Sequence, residues 1–306
     1  MLGLFVGSFL NVVIYRLPTM MENDWRRGWQ QFVAENERQA QQENETASAG
    51  AGQTSQSNQN GHAGALDTDA VNAEQPEADK FNLAVPRSRC PGCGELIRAW
   101  QNIPVISYLL LRGQCGACKT AISIRYPLVE LVTALLSVVC AWHFGVTAQA
   151  LAALVITWSL IALSGIDFDT QLLPDSITLP LMWLGLIASL FPVFVGPTEA
   201  IVGAAAVYLS LWCVYWAFKI VTGKEGMGYG DFKLLAALGA WFGWQALPMI
   251  ILLSSLVGAV VGITLIVAKG RDKQVPIPFG PYLAAAGWLA MVFGGQLSAW
   301  YTGLYL

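Results

Sequence analysis

Charge is what this chain has least of. Only 12% of its 306 residues are Asp, Glu, Lys or Arg, where a soluble globular domain carries about 25%. Together with a 55% hydrophobic content and a mean hydropathy of +0.51, this excludes an ordinary water-soluble enzyme. The N-terminus lacks a basic segment and a small-residue cleavage site, so Leu2 to Leu17 is read as a membrane helix and not as a removable signal peptide. That run is shorter than the roughly 20 residues a crossing takes, and a truncated first helix is expected. Phe, Trp and Tyr are absent between Phe32 and Phe81. Residues 34–79, dominated by Gln, Asn, Ala, Glu, Ser and Gly, bury too little apolar surface to offset chain entropy and are expected to form a disordered insert. A nucleotide-binding loop is missing too. Gly226-Met227-Gly228-Tyr229-Gly230-Asp231 has neither a preceding strand nor a following Lys-Ser/Thr.

Apolar runs fill most of what remains. After Leu17 comes a polar region over roughly 18–125, then seven runs near 126–146, 148–166, 176–195, 199–221, 232–247, 249–268 and 279–302. Twelve tryptophans and thirty glycines suit such a protein: aromatics sit at membrane interfaces and glycine lets helices approach closely. The fold expected is all-α and polytopic, with about eight transmembrane helices and a cytoplasmic zinc-ribbon-like loop between helices one and two. Its parts are a first helix over 1–17, a loop over 18–125 containing the insert 34–79 and a four-cysteine part 86–125, and a membrane core over 126–306. With the N-terminus outside, all 17 Lys and Arg fall on the inner side, which is the positive-inside pattern in full.

Against this apolar background two carboxylates stand out. Asp167 ends one run in Ser164-Gly165-Ile166-Asp167-Phe168-Asp169, and Asp231 begins another in Gly228-Tyr229-Gly230-Asp231. An ionisable residue at the lip of a membrane helix is costly unless paired or wet, and marks a functional site by default. The topology puts both at similar depth on the inner side, although 64 residues separate them. Two carboxylates at close range share a proton, so such a pair suits aspartyl proteolysis, one member activating water and the other polarising a carbonyl. A proton-coupled transporter using the same two residues as a relay competes with this reading. It predicts paired internal repeats, which the sequence lacks. A membrane scaffold without catalysis is a third reading, and leaves the aspartates without a role.

Cysteine carries the second signal. Cys90-Pro91-Gly92-Cys93 and Cys115-Gly116-Ala117-Cys118 are two CxxC knuckles, separated by 21 residues. Two such knuckles complete a tetrahedral four-thiolate zinc site of the structural kind. Reduced structural cysteines or a redox pair are the alternatives. Cys140 and Cys213 lie inside apolar runs and read as buried small hydrophobes. Of the other polar residues, Asp169 is a candidate second acid and Asp175 a helix N-cap. Glu130 reads as a polar helix contact, His143 as interfacial and Glu225 as a loop charge. The glycines before Asp231 are read as letting a substrate strand approach. Pro276-Ile277-Pro278-Phe279-Gly280-Pro281 either lines the same cleft or makes a rigid entry turn.

These segments together resemble the type IV prepilin peptidases, a family of GxGD-type intramembrane aspartyl proteases. The likeness rests on Gly7-Ser8-Phe9-Leu10-Asn11-Val12-Val13 with Arg16-Leu17-Pro18, and on Cys90, Cys93, Cys115 and Cys118. Asn102 to Tyr108, Arg125-Tyr126-Pro127-Leu128-Val129-Glu130, Asp167 through Asp175 and Gly228 to Lys233 extend it. It covers nearly the whole chain apart from 34–79. The resemblance implies that Asp167 and Asp231 are catalytic. It implies cleavage of prepilin and pseudopilin leaders at the cytoplasmic face of the bacterial inner membrane, in type IV pilus and type II secretion systems. It also implies S-adenosylmethionine-dependent N-methylation of the new N-terminus; beside it, the knuckles lead to a structural zinc ion, and no nucleic-acid partner is expected. No residues for the methyl donor and no oligomeric state follow from it.

Overall fold

The computed structural model describes residues 1–51, 81–87, 89–90, 92–96, 104–223, 228–269 and 277–303. Nine α-helices follow one another along these residues: α1 (Leu2–Ala51), α2 (Pro104–Leu110), α3 (Arg125–Phe144), α4 (Ala148–Thr170), α5 (Asp175–Ser189), α6 (Pro197–Thr222), α7 (Tyr229–Phe242), α8 (Leu247–Lys269) and α9 (Gly280–Gly303). Each of the eight apolar runs has become a helix, and among the described residues there is no β-strand, only two isolated bridges. Among the described residues five helical segments, in α1, α3, α4, α6 and the α8 region, are long and apolar enough to cross a membrane, while α5 is a shorter apolar helix. The chain is a multi-pass membrane protein.

Local chemistry sets the helix ends. Thr147 caps α4, its side-chain oxygen accepting from the Ala150 N–H at 3.2 Å, which satisfies one of the donors a helix start leaves open. Pro197 occupies the first position of α6, where a missing N–H costs nothing, and Gly223 closes that helix at φ 69°.

Contacts divide the chain into two compact units, Met1–Pro18 with Ser88–Leu306, and Thr19–Arg87. In the first, α7 is the central element. It is the shortest of the helices formed by the eight apolar runs, yet every residue from Phe232 to Trp241 except Lys233 is buried. A helix apolar all round has to be wrapped by others, and α5, α6, α8 and α9 all pack on it. On α6, Gly203 meets the Gly239 backbone of α7 at a distance that leaves no room for a Cβ on either side. A second close seam joins α1 to α3, where a Cβ on Gly7 would lie 2.7 Å from the Cα of Glu130. Ring N–H groups inside the bundle find polar partners: Trp241 donates to the Leu181 carbonyl at 2.9 Å and Trp288 to Thr157 Oγ1 at 3.0 Å.

The second unit corrects the expected boundaries. Helix α1 does not stop near Leu17 but runs through Pro18 to Ala51, so residues 34–51 are helical where disorder is expected. The reason is local: Glu35, Arg38, Ala40, Gln41 and Gln42 are good helix formers, and a helix continuing from a membrane segment already has its nucleus. Exposed aromatics Trp25, Trp29 and Phe32 form a row along this stretch, with ring centroids 6.4 and 5.9 Å apart. Residues 52–79 of the expected insert lie outside the described residues.

Candidate active site and four-thiol centre

Asp167 stands in the last turn of α4 and Asp231 in the first turn of α7. Both are buried, at 5% and 9% exposure. Leu173 lies against both Gly230, next to Asp231, and Gly280, which is hydrogen-bonded to Asp167. Three loops meet there. The link after α4 contributes Leu173, the start of α7 contributes Gly230, and the start of α9 contributes Gly280. A Cβ on Gly230 would lie 2.8 Å from Leu173 Cβ, and one on Gly280 would lie 2.8 Å from Asp167 Oδ2 and 3.1 Å from Leu173.

The Gly280 N–H donates to Asp167 Oδ2 at 2.9 Å. An N–H at a helix start has no intrahelical partner and points its dipole at the carboxylate, so α9 holds Asp167 in orientation. Of the two readings of the Pro276 to Pro281 segment, the described part, Ile277 to Pro281, fits the one that lines the cleft. Gly230 gives up its side chain to admit Leu173, whereas among the described residues Gly228 has only Asp231 Oδ2 near its Cβ position, at 3.9 Å. Beside Asp231 a cavity of about 40 Å³ opens between α7 and α8.

Asp175 has a different role from the one expected, while Glu130 makes the polar helix contact expected of it. Asp175 is not an N-cap: Pro174 holds that position, and Asp175 is the first residue of α5. Its carboxylate binds Lys233 Nζ through both oxygens, at 2.8 and 2.7 Å, tying α5 to the turn after Asp231. Asp169 is paired with Arg125 of α3, which also donates to the Gly165 carbonyl at 3.2 Å. Glu130 is buried against α1, hydrogen-bonded to Asn11 and Ser8. His143 is exposed at the end of α3, and Cys213, expected to be buried, is exposed on the outer face of α6. Glu225 lies outside the described residues.

The four cysteines converge, with all Sγ atoms within 4.8 Å of one another. The two knuckles are built alike. Cys90 N–H donates to the Glu95 carbonyl and Cys115 N–H to the Thr120 carbonyl, at 2.9 and 2.8 Å. Positive φ at Gly94 and Lys119 turns each chain back, and the bridges Arg89–Leu96 and Gln114–Ala121 close both at the same offset. A tetrahedral site with metal–sulfur bonds of about 2.3 Å places its sulfurs roughly 3.8 Å apart; Cys90 and Cys118 Sγ are 3.7 Å apart. The donor set and its spacing fit a metal ion.

Protonation in the cluster is uneven. Hydrogen bonds from Thr120, first its side chain and then its backbone, pull the Cys118 thiol down to about 6. Backbone groups of Cys118 and Ala117 lower Cys115 as well. The Glu95 backbone pulls on Cys93, but the Cys118 thiol, desolvation and the other two thiols outweigh it and push Cys93 up to about 12. Four thiolates repel one another, and a divalent cation relieves that repulsion.

Fold and site define a polytopic membrane protein with a buried carboxylate pair at one end of its bundle and a four-thiol centre outside it. The pattern described as the bacterial Peptidase A24 N-terminal domain matches residues 1–144, and that of the type IV leader peptidase family matches residues 154–263. The chain is 53% identical to a prepilin leader peptidase/N-methyltransferase of Stutzerimonas stutzeri over 300 residues, covering 98% of this chain and 91% of that one. It is 52% identical to the same-named protein of Pseudomonas aeruginosa, with 98% and 91% covered, and 45% identical to that of Burkholderia pseudomallei, with 96% and 84% covered. No solved structure matches the chain. The chain belongs to the type IV leader peptidase family.

Proposed function

We propose that this protein removes the leader peptide from type IV prepilins and related pseudopilins by an aspartyl mechanism, and that it N-methylates the residue so exposed. Asp167 and Asp231 form the catalytic dyad. The observation that carries this reading is the shared surroundings of two buried carboxylates, with Asp167 Oδ2 held by the Gly280 N–H and Leu173 packed against both Gly280 and Gly230. Two carboxylates in one site keep a proton between them, so that one acts as base on water while the other acts as acid on the scissile carbonyl. Similarity to proteins named prepilin leader peptidase/N-methyltransferase over nearly the whole chain supports the substrate and the second activity.

The dyad faces the cytoplasm from the bacterial inner membrane, on the side where the positive-inside pattern gathers the basic residues. Cys90, Cys93, Cys115 and Cys118 hold one zinc ion, which stabilises the fold of its loop. S-adenosylmethionine supplies the methyl group to the new N-terminal amine. The experiment is incubation of the purified protein with a full-length prepilin, with and without S-adenosylmethionine, followed by mass spectrometry of the product. A substrate left intact overturns the reading; cleavage without a mass gain for the methyl group removes only its second half.

A further inference from the structure

We infer that the hydrolytic water is held in the cavity between Asp231 and Ser254, that Asp231 is the carboxylate that activates it, and that Ser254 positions it. The inference rests on the dyad reading above and assigns the two members of the pair different tasks.

The cavity of about 40 Å³ lies where four helices meet, bounded by Leu211 of α6, Asp231 and Leu235 of α7, Ile251 and Ser254 of α8, and Leu283 of α9. A buried water needs roughly 10–15 Å³ and two to four polar partners, so the space admits water and is too small for a large side chain of a substrate. Its walls are apolar apart from Asp231 and a pair of serines, Ser254 and Ser255. Ser254 is fully buried, with 0% exposure. Its hydroxyl donates to the Ile251 carbonyl at 3.1 Å, which leaves the oxygen lone pairs to accept a hydrogen bond from a water. Such a water then has the Asp231 carboxylate on one side and Ser254 Oγ on the other. Asp167 is not among the residues lining this space, and its Oδ2 accepts from the Gly280 N–H, next to the lining residue Phe279.

The asymmetry fixes the proton path. The water oxygen bonds to the scissile carbonyl carbon while its proton passes to the Asp231 carboxylate. The carbonyl oxygen takes the proton that Asp167 carries on its other oxygen. Collapse of the tetrahedral intermediate breaks the C–N bond, the leaving nitrogen takes its proton from Asp231, and one hydroxyl proton of the intermediate returns to Asp167. The products are a carboxylic acid and an amine, and the pair regains its starting state.

The test compares prepilin cleavage by the full-length protein in detergent for wild type, Ser254→Ala, Ser254→Val, Leu211→Phe and Asp231→Asn, with melting temperature as the measure of folding. Ser254→Ala keeps the space and loses one hydrogen bond, and is expected to lower kcat a few-fold. Ser254→Val and Leu211→Phe fill the cavity from different helices and are expected to lower kcat by about tenfold or more with KM unchanged, since a displaced reacting group costs up to about a hundredfold. A folded cavity-filling variant that cleaves at the wild-type kcat, or one whose loss lies in KM, overturns the inference. Where Ser254→Val fails to fold, Leu211→Phe decides alone. Cleavage by Asp231→Asn would instead remove the dyad reading itself.

Discussion

The carboxylate pair and the four-thiol centre are built on opposite plans. Each cysteine knuckle closes within a few residues through its own backbone hydrogen bonds, Cys90 to Glu95 and Cys115 to Thr120. Nothing distant is needed to aim two thiols at one point. The aspartates lie on helices that are not consecutive, and are brought together by Leu173 filling the place of a Gly230 side chain and by Gly280 closing on Asp167. The first plan tolerates change elsewhere in the chain. The second depends on packing between α4, α7 and α9, so small changes far from either carboxylate reach it.

The sharpest test of that contrast is removal of the carboxylates. Asp167→Asn and Asp231→Asn are isosteric, and each is expected to lower cleavage at least about a hundredfold, the scale of general acid–base catalysis, with membrane insertion intact. Mass spectrometry of the prepilin product measures it, and substantial cleavage by either variant would take that residue out of the dyad. Next in size is Gly280→Ala. Its Cβ would stand 2.8 Å from Asp167 Oδ2 and 3.1 Å from Leu173, so the helix start must move and cleavage is expected to fall by about tenfold to a hundredfold. A wild-type rate would mean that the Gly280 N–H does not orient Asp167.

Replacing cysteines probes the other plan. Cys90→Ser or Cys118→Ser is expected to abolish zinc retention, read by elemental analysis of protein purified without chelator, while leaving much of the cleavage rate. Cleavage lost in step with zinc would show that the two centres are not independent. A smaller effect is expected at Asp175→Asn, which breaks the ion pair with Lys233, whose side chains are 53% and 28% exposed. Solvent-screened pairs are worth about 0–1 kcal/mol, so the melting temperature should fall by a few degrees at most. A loss of activity without a loss of stability would assign Lys233 a part in the site. Smallest of all is deletion of residues 52–79, expected to leave cleavage and zinc content unchanged, because each doubling of a loop changes closure entropy by only about 0.6 kcal/mol. If it stops processing of a full prepilin but not of a short peptide, the segment recruits substrate.

What the sequence determined by itself is what depends on short range or on composition. Long apolar runs separated by Pro and Gly become helices wherever they are placed, and all eight do. The knuckles follow from residues three apart on a turning backbone. Residues 34–51, which lack aromatics but contain a run of helix formers, continue α1. Tertiary structure alone decided which helix is central, since α7 differs from its neighbours not in hydrophobicity but in being wrapped on all sides. It decided that Asp175 ties down Lys233 instead of capping a helix, that Gly230 makes room for Leu173, and that Ser254 faces Asp231 across a cavity. Each of these joins residues far apart in the chain, and such contacts are fixed by how side-chain volumes interlock once the helices have met, which no spacing along the sequence encodes.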